Sequence, residues 1–232
     1  MLGDKTRMSE LARHPSAFVR PSPAGGTRGG VARRTREAML VCEAAGFGAV
    51  VVETVGVGQA ETDVADMVDV FLLLLAPGGG DEVQGLKKGI VEFADLIVVN
   101  KADGELAGAA RRLRADYLAA LGLLRPSSPR WTPRVMCCSA RTGEGIAAVW
   151  DAVEAHRAAL GPAGEIAERR AAQARAWMWS EVREGLMAAL EAHPGVARLG
   201  ARLDRRVARG EITPHAAASE LLAAFRDAGD SA

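Results

Sequence analysis

The 232-residue chain carries no net charge, its 29 lysines and arginines being matched by 29 aspartates and glutamates. It therefore offers no electrostatic footprint for a polyanion. A nucleic-acid binder would show a clustered basic surface, whereas Arg28, Arg33, Arg34 and Arg36 form only a local group that the solvated face of a helix also explains. Cysteine is scarce. Cys42, Cys137 and Cys138 sit inside apolar segments rather than at metal-ligand spacing, and are expected to be reduced core residues. His14, His156, His193 and His215 are scattered, which argues against a His/Cys metal site and places them at the surface. No stretch reaches the roughly 18 apolar residues of a transmembrane helix. The opening Met1-Leu2-Gly3-Asp4-Lys5 lacks a signal-peptide hydrophobic region. A soluble cytoplasmic chain that touches neither nucleic acid nor membrane is expected.

What is present is an alternation. Four apolar runs, 49–52, 70–75, 96–99 and 135–138, have the near-continuous hydrophobicity of parallel strands buried on both faces. Between them, 31–45, 81–94, 106–121 and 146–160 carry helical spacing. Strand-helix alternation predicts an α/β fold with a mostly parallel sheet, whose ligands bind outside the carboxyl ends of the strands. Phe18-Val19-Arg20-Pro21 reads as a further short strand and 21–30 as a loop. Beyond residue 160 the pattern changes. Gly161-Pro162-Ala163-Gly164 signals a linker, followed by a long helix over 165–190 and two shorter ones over 196–208 and 213–227, the last capped by Thr213 before Pro214. The expected division is a sheet domain over 1–160 and a helical extension over 161–232. Trp179, Val182, Leu186 and Leu190 make one stripe on the long helix, with Trp177 outside it. Such a tail suits self-association, or tryptophans that pack back on the sheet domain.

Polar motifs follow the apolar runs. Asn100-Lys101-Ala102-Asp103 spells N-K-x-D at the end of 96–99. An aspartate there can accept hydrogen bonds from both guanine N1–H and the exocyclic amine, which adenine cannot supply. Sites built on such bonds discriminate by roughly 10⁴–10⁵. Ser139-Ala140-Arg141-Thr142-Gly143, after 135–138, has the form of a loop that presents backbone N–H groups to guanine O6 while its serine braces the aspartate. Glu53-Thr54-Val55-Gly56, after 49–52, matches the acid and glycine that meet Mg²⁺ and the γ-phosphate in P-loop nucleotide hydrolases, although aspartate is the usual acid. The segment 78–89 is glycine-rich and carries Lys87 and Lys88, which can reach phosphate oxygens or simply face solvent. Nowhere in the chain is there a G-x-x-x-x-G-K-[ST] loop, the amide cradle for a triphosphate.

Taken with Leu2-Gly3-Asp4-Lys5-Thr6-Arg7-Met8, Phe18-Val19-Arg20-Pro21-Ser22-Pro23, Gly29-Gly30-Val31-Ala32-Arg33, Val52 to Gln59 and Gly85-Leu86-Lys87-Lys88-Gly89, these motifs resemble the GTPases associated with methylmalonyl-CoA mutase, the MeaB/ArgK group. The resemblance runs from Leu2 to about Arg183 and includes Trp177-Met178-Trp179. It implies a P-loop GTPase domain with a helical extension used in homodimerisation, and hydrolysis of GTP to GDP with Mg²⁺. It also implies a partner, the adenosylcobalamin-dependent mutase, whose cofactor loading is gated and whose activity is protected. Asp4 and Glu53 would enter the magnesium shell; Asn100, Lys101 and Asp103 would read guanine; Ser139, Ala140 and Arg141 would line the base; Gly56 would meet the γ-phosphate. Lys87 or Lys88, in the extra switch loop over 79–88, would touch the nucleotide or the partner. Members of the group also carry the label of kinases of a lysine/arginine/ornithine transport system.

The sequence departs from the resemblance in lacking the P-loop unit. A truncated or misassigned reading frame is expected, with an incomplete sheet, exposed apolar sheet surface and poor or absent GTPase activity. Two other readings stay open: a non-enzymatic module that keeps the helical tail for partner contact, and a nucleotide-dependent metallochaperone for another metal enzyme.

Overall fold

A computed structural model describes residues 8–21, 35–54, 64–78, 88–124 and 128–227. The elements in order are α1 (Thr35–Ala44), β1 (Leu72–Leu75), α2 (Lys88–Phe93), β2 (Leu96–Val99), α3 (Ala107–Leu121), β3 (Arg134–Cys137), α4 (Ile146–Leu160), α5 (Glu165–Ala192), α6 (Pro194–Ala208) and α7 (Pro214–Asp227). The chain divides into two compact units, Met1–Ala171 and Ala172–Ala232, with the boundary inside α5.

In the first unit the three strands form a parallel sheet in the order β1-β2-β3. Leu72 stands opposite Leu96, and Leu96 opposite Arg134. All four residues of β2 are buried, as a central parallel strand requires. Alternation sends Ile97 of β2 and Val135 of β3 to one face, where they pack with Val91 of α2 and Tyr117 of α3. Leu96 faces the other way, against Ala152 and Leu160 of α4 and the Trp131 ring. The helices reach these faces because their core-facing residues recur at helical spacing. In α3 they are Ala110, Leu113, Tyr117 and Leu121, and in α4 Ala152, His156 and Leu160. Each fully buried aliphatic side chain contributes about 1.5–3 kcal/mol relative to an exposed one.

Three sequence expectations fail. Residues 49–52 form no strand, and Val51 is 85% exposed, since among the described residues β1 hydrogen-bonds only to β2 and nothing pairs 49–52 into the sheet. Phe18 to Pro21 is also irregular, and Phe18 is exposed. His156 is not a surface residue but is completely buried, because it occupies the middle of the α4 core stripe. The three cysteines are free thiols, with Cys138 buried and Cys42 and Cys137 partly so. Among the described residues no helix is long and apolar enough to cross a membrane.

The amino end of β2 is closed by Asp95. Its Oδ2 accepts the Phe71 N–H at 2.9 Å and Arg169 Nη1 at 3.1 Å, and its carbonyl accepts Trp131 Nε1 at 3.0 Å. His156 Nε2 lies 3.4 Å from Oδ1, outside hydrogen-bonding geometry, and its ring meets Trp131 edge to face. Burial alone would raise the Asp95 pKa, but His156, Arg169 and the Phe71 N–H outweigh it and hold the carboxyl below its usual range. Arg169 also donates to the Asp69 carbonyl, and Arg170 bridges Asp69 and Glu43. The first turns of α5 are thereby fastened to the sheet.

In the second unit α6 and α7 pack as a pair around Val196, Leu203 and Ala217. His193 caps α6 through Val196 N–H, and Thr213 Oγ1 caps α7 through Ala216 N–H.

Replacing Asp95 by asparagine keeps an acceptor for Phe71 but removes the charge partner of Arg169, which retains only the Asp69 carbonyl. Asp95→Asn is expected to cost about 2–3 kcal/mol in urea unfolding at neutral pH. A depressed folded-state pKa stabilises above the unfolded value and is lost as pH falls through the folded one. The difference between wild type and variant should therefore hold down to about pH 4 and shrink below it; a difference that persists undiminished well below that range would contradict the charged pairing.

Candidate nucleotide-base site

Two loops leave the carboxyl ends of β2 and β3 side by side. Parallel hydrogen bonding carries past both strands, Asn100 N–H donating to Leu75 C=O and Cys138 N–H to Val99 C=O. Asn100 Oδ1 then ties the loops together, accepting Lys101 N–H at 2.7 Å, Ala140 N–H at 3.0 Å and the Cys138 thiol at 3.7 Å. Ala102 N–H adds a bond to Cys138 C=O at 3.0 Å. Lys101 has φ +58°, the only left-handed non-glycine residue among those described. Held strain of this kind clusters at functional sites and costs about 1–3 kcal/mol.

The β3 loop is wound tightly around Ser139. Its N–H donates to Glu144 C=O, its C=O accepts Gly143 N–H, and its Oγ accepts Thr142 N–H. Gly145 has φ +76°, and a Cβ there would stand 2.6 Å from Cys137 C=O, so only glycine lets the loop return to α4. The Ser139 hydroxyl is thereby free to donate to Asp103 Oδ1 at 2.8 Å. Arg141 Nη2 donates to the other oxygen, Oδ2. The Ser139 hydroxyl is the main influence holding the Asp103 carboxyl below its usual range; partial burial opposes it and Arg141 adds to it. Asp103 is thus an anion at neutral pH, able only to accept.

Asn100, Lys101, Asp103, Ala140 and Arg141 line an open cleft of about 640 Å³ together with Gly104, Glu105 and Leu106, within the size range of small-molecule sites. The structure therefore brings together Asn100, Lys101 and Asp103 with Ser139, Ala140 and Arg141, joined by hydrogen bonds between residues 36 to 40 positions apart. An anionic acceptor on one wall and exposed loop backbone beside Ala140 can receive a base with paired donors on one edge. Glu53 is exposed in an irregular segment. Asp4, Gly56 and Lys87 lie outside the described residues, as does the Lys88 side chain. Among the described residues no cluster of His, Cys, Asp and Glu could hold a metal ion. Sequence reasoning overlooked Cys138 as a partner of Asn100 and Gly104 as the residue beside Arg141; the Asp-Gly pair at 103–104 was the available signal for the second.

Residues 1–195 match the family model described as methylmalonyl Co-A mutase-associated GTPase MeaB. The chain belongs to the MeaB family. It is 48% identical over 226 residues to the mouse (Mus musculus) protein named methylmalonic aciduria type A homolog, mitochondrial, covering 97% of this chain and 54% of that one. It is 48% identical over 187 residues to the Escherichia coli (strain K12) GTPase ArgK, covering 81% and 56%. A crystal structure of a LAO/AO transport system kinase superposes with a TM-score of 0.73 at 38% identity, covering 94% of this chain and 68% of that one. The chain spans a little over half the length of the mouse and E. coli relatives. The α/β fold with a parallel sheet is accordingly that of the MeaB-family GTPases.

If Asp103 accepts from a purine edge, the preference should follow its hydrogen-bond sense. Asp103→Asn adds a donor in place of one acceptor and should move preference from guanosine to xanthosine, whose C2 bears a carbonyl. Loss of guanosine binding by tenfold or more, with a gain for xanthosine, is the expected result of a calorimetric titration, about 1.4 kcal/mol or more. An unchanged preference would place the base elsewhere.

Proposed function

We propose that this chain is the guanine-reading part of a GTP-hydrolysing chaperone for an adenosylcobalamin-dependent methylmalonyl-CoA mutase, acting in cofactor loading and protection. The observation that carries the reading is the Asp103 carboxylate, braced by Ser139 and facing a cleft at the ends of two parallel strands. Membership in a mutase-associated GTPase family supports the partner. The mouse relative's name, which refers to methylmalonic aciduria, fits the same metabolism. In this reading Asn100, Lys101 and Asp103 hold the base and Ala140 and Arg141 edge it. Asp4 and Glu53 serve Mg²⁺, Gly56 meets the γ-phosphate, and Lys87 or Lys88 approaches the nucleotide or the partner. Hydrolysis proceeds by a positioned water and charge stabilisation, without a covalent intermediate.

Within these 232 residues no G-x-x-x-x-G-K-[ST] loop is available to the phosphates. The chain by itself is therefore proposed to be an impaired GTPase that still prefers guanine. Titration with GDP and ADP should show guanine preference of at least tenfold at a Kd of about 100 µM or weaker, with no measurable GTP turnover. Equal affinity for ADP would sink the base-reading role, and brisk turnover would sink the impairment. Co-elution with purified mutase independently of GTP would shift weight to a non-enzymatic binding module.

Self-association through the extension is part of the proposal. Trp179, Val182 and Leu186 are 57%, 43% and 59% exposed on one stripe of α5, with Met178 and Met187 exposed beside them. An apolar stripe of this size on a soluble protein calls for a covering surface. Light scattering is expected to show a dimer that Trp179→Glu combined with Leu186→Glu converts to monomer; a monomeric wild type at about 100 µM, a concentration at which even a weak dimer is populated, would refute it.

A further inference from the structure

The Arg141 side chain is 76% exposed, yet its guanidinium does not trail into solvent. It reaches back across the mouth of the cleft and donates to Asp103 Oδ2, the oxygen that Ser139 leaves open. Gly104 lies beside that path. That residue has φ +54°, and a Cβ there would stand 3.7 Å from Arg141 Nη2. That is ordinary contact, so it is the positive φ that favours glycine here. The contact thus joins a short two-loop geometry, a positive-φ glycine and a carboxylate whose second oxygen is already committed.

The chemistry of the two candidate partners of Asp103 is nearly the same. Guanine's N1–H, C2 and exocyclic amine are a guanidine fragment closed into a ring, with two donors on one edge. The arginine guanidinium is the open form of that fragment, a planar fork suited to carboxylates. Both address the acceptor-only Asp103. Each carboxylate oxygen can accept more than one hydrogen bond, so they compete not for a lone pair but for the cleft-facing side of Asp103, where two planar forks do not fit at once.

Resting on the base-reading role proposed above, we infer that Arg141 is a built-in competitor for guanine: it occupies the open edge of Asp103 and must swing out as the base enters. The exchange replaces one donor set with another, so the carboxylate is never left unpaired when the base departs. Adenine, lacking paired donors, gains nothing from displacing it. Arg141 therefore tunes guanine affinity and the rate of base entry, while Asp103 supplies the discrimination.

An exposed ion pair is weak, which sets the scale. Arg141→Ala should tighten binding of guanosine about two- to fivefold, and Arg141→Lys, which keeps the charge without the fork, should fall between. Guanosine is the probe because a phosphate would itself be attracted by the arginine. Adenosine should stay without measurable binding throughout. A second measurement reads the arginine directly in the wild-type chain. The ¹⁵N and ¹H resonances of the Arg141 guanidinium should move, as guanosine saturates the protein, to the position they hold in Asp103→Ala without ligand. Guanosine binding that leaves those resonances in place, or that Arg141→Ala leaves unchanged or weakens, overturns the competitor role while sparing the base site. Failure of the wild type to prefer guanosine over adenosine overturns the base site, and the competitor role with it.

Discussion

Everything described in the first unit hangs on β2, four residues buried on both faces between two parallel neighbours. A strand so enclosed has no solvent to satisfy its backbone, so its hydrogen bonds must come from β1 and β3, and polarity can appear only at its two ends. Both ends are used. At the amino end Asp95 gathers Phe71, Trp131 and Arg169 and fastens the start of α5. At the carboxyl end Asn100 and Asp103 gather the loop after β3. One strand thus fixes the spacing between the anchor of the extension and the candidate base site.

The difference between those ends explains what was legible in the sequence. The run 96–99 and the N-K-x-D after it announce a strand and a polar loop because the information is contiguous. The Ser139 loop is legible for the same reason, and its serine does brace Asp103. Asp95 and Arg169 are 74 positions apart, each unremarkable alone, and nothing in local patterning joins them. His156 misleads in the same manner: as one of four scattered histidines it reads as a surface residue, whereas its place between Ala152 and Leu160 at helical spacing puts it in the core. The run 49–52 errs in the opposite direction. Its apolar residues report a capacity for burial, but a strand exists only with a partner, and β1 pairs on one edge alone among the described residues. Leu72 and Leu74, which share one face of β1, are exposed among the described residues.

The candidate base site illustrates how a reading loop is held rather than merely spelled. Asn100 contributes no donor to the cleft in the contacts described; its oxygen is spent on Lys101, Ala140 and Cys138, so its role is to lock two loops in register. That lock sustains the left-handed Lys101, which an unconstrained loop would relax. Gly145 works from the other side, permitting a loop that any Cβ would push away from Cys137. For the proposed role preorganisation matters, because Asp103 would have to present an ionised, acceptor-only edge in a fixed direction before a base arrives.

Selectivity and affinity separate at such a site. Hydrogen bonds to a charged acceptor contribute about 1.5–3 kcal/mol each, and less where the group is already engaged, as Asp103 is by Ser139 and Arg141. Two such bonds can reject adenine decisively, since rejection counts the cost of leaving a carboxylate unmatched. They cannot hold a nucleotide tightly, since retention counts only the surplus after the ion pair with Arg141 is given up and the ligand is immobilised. Tight retention needs phosphate contacts made elsewhere. On the proposed base-reading role, the two loops beyond β2 and β3 would suffice to choose the base, and their own chemistry would limit how strongly they keep it.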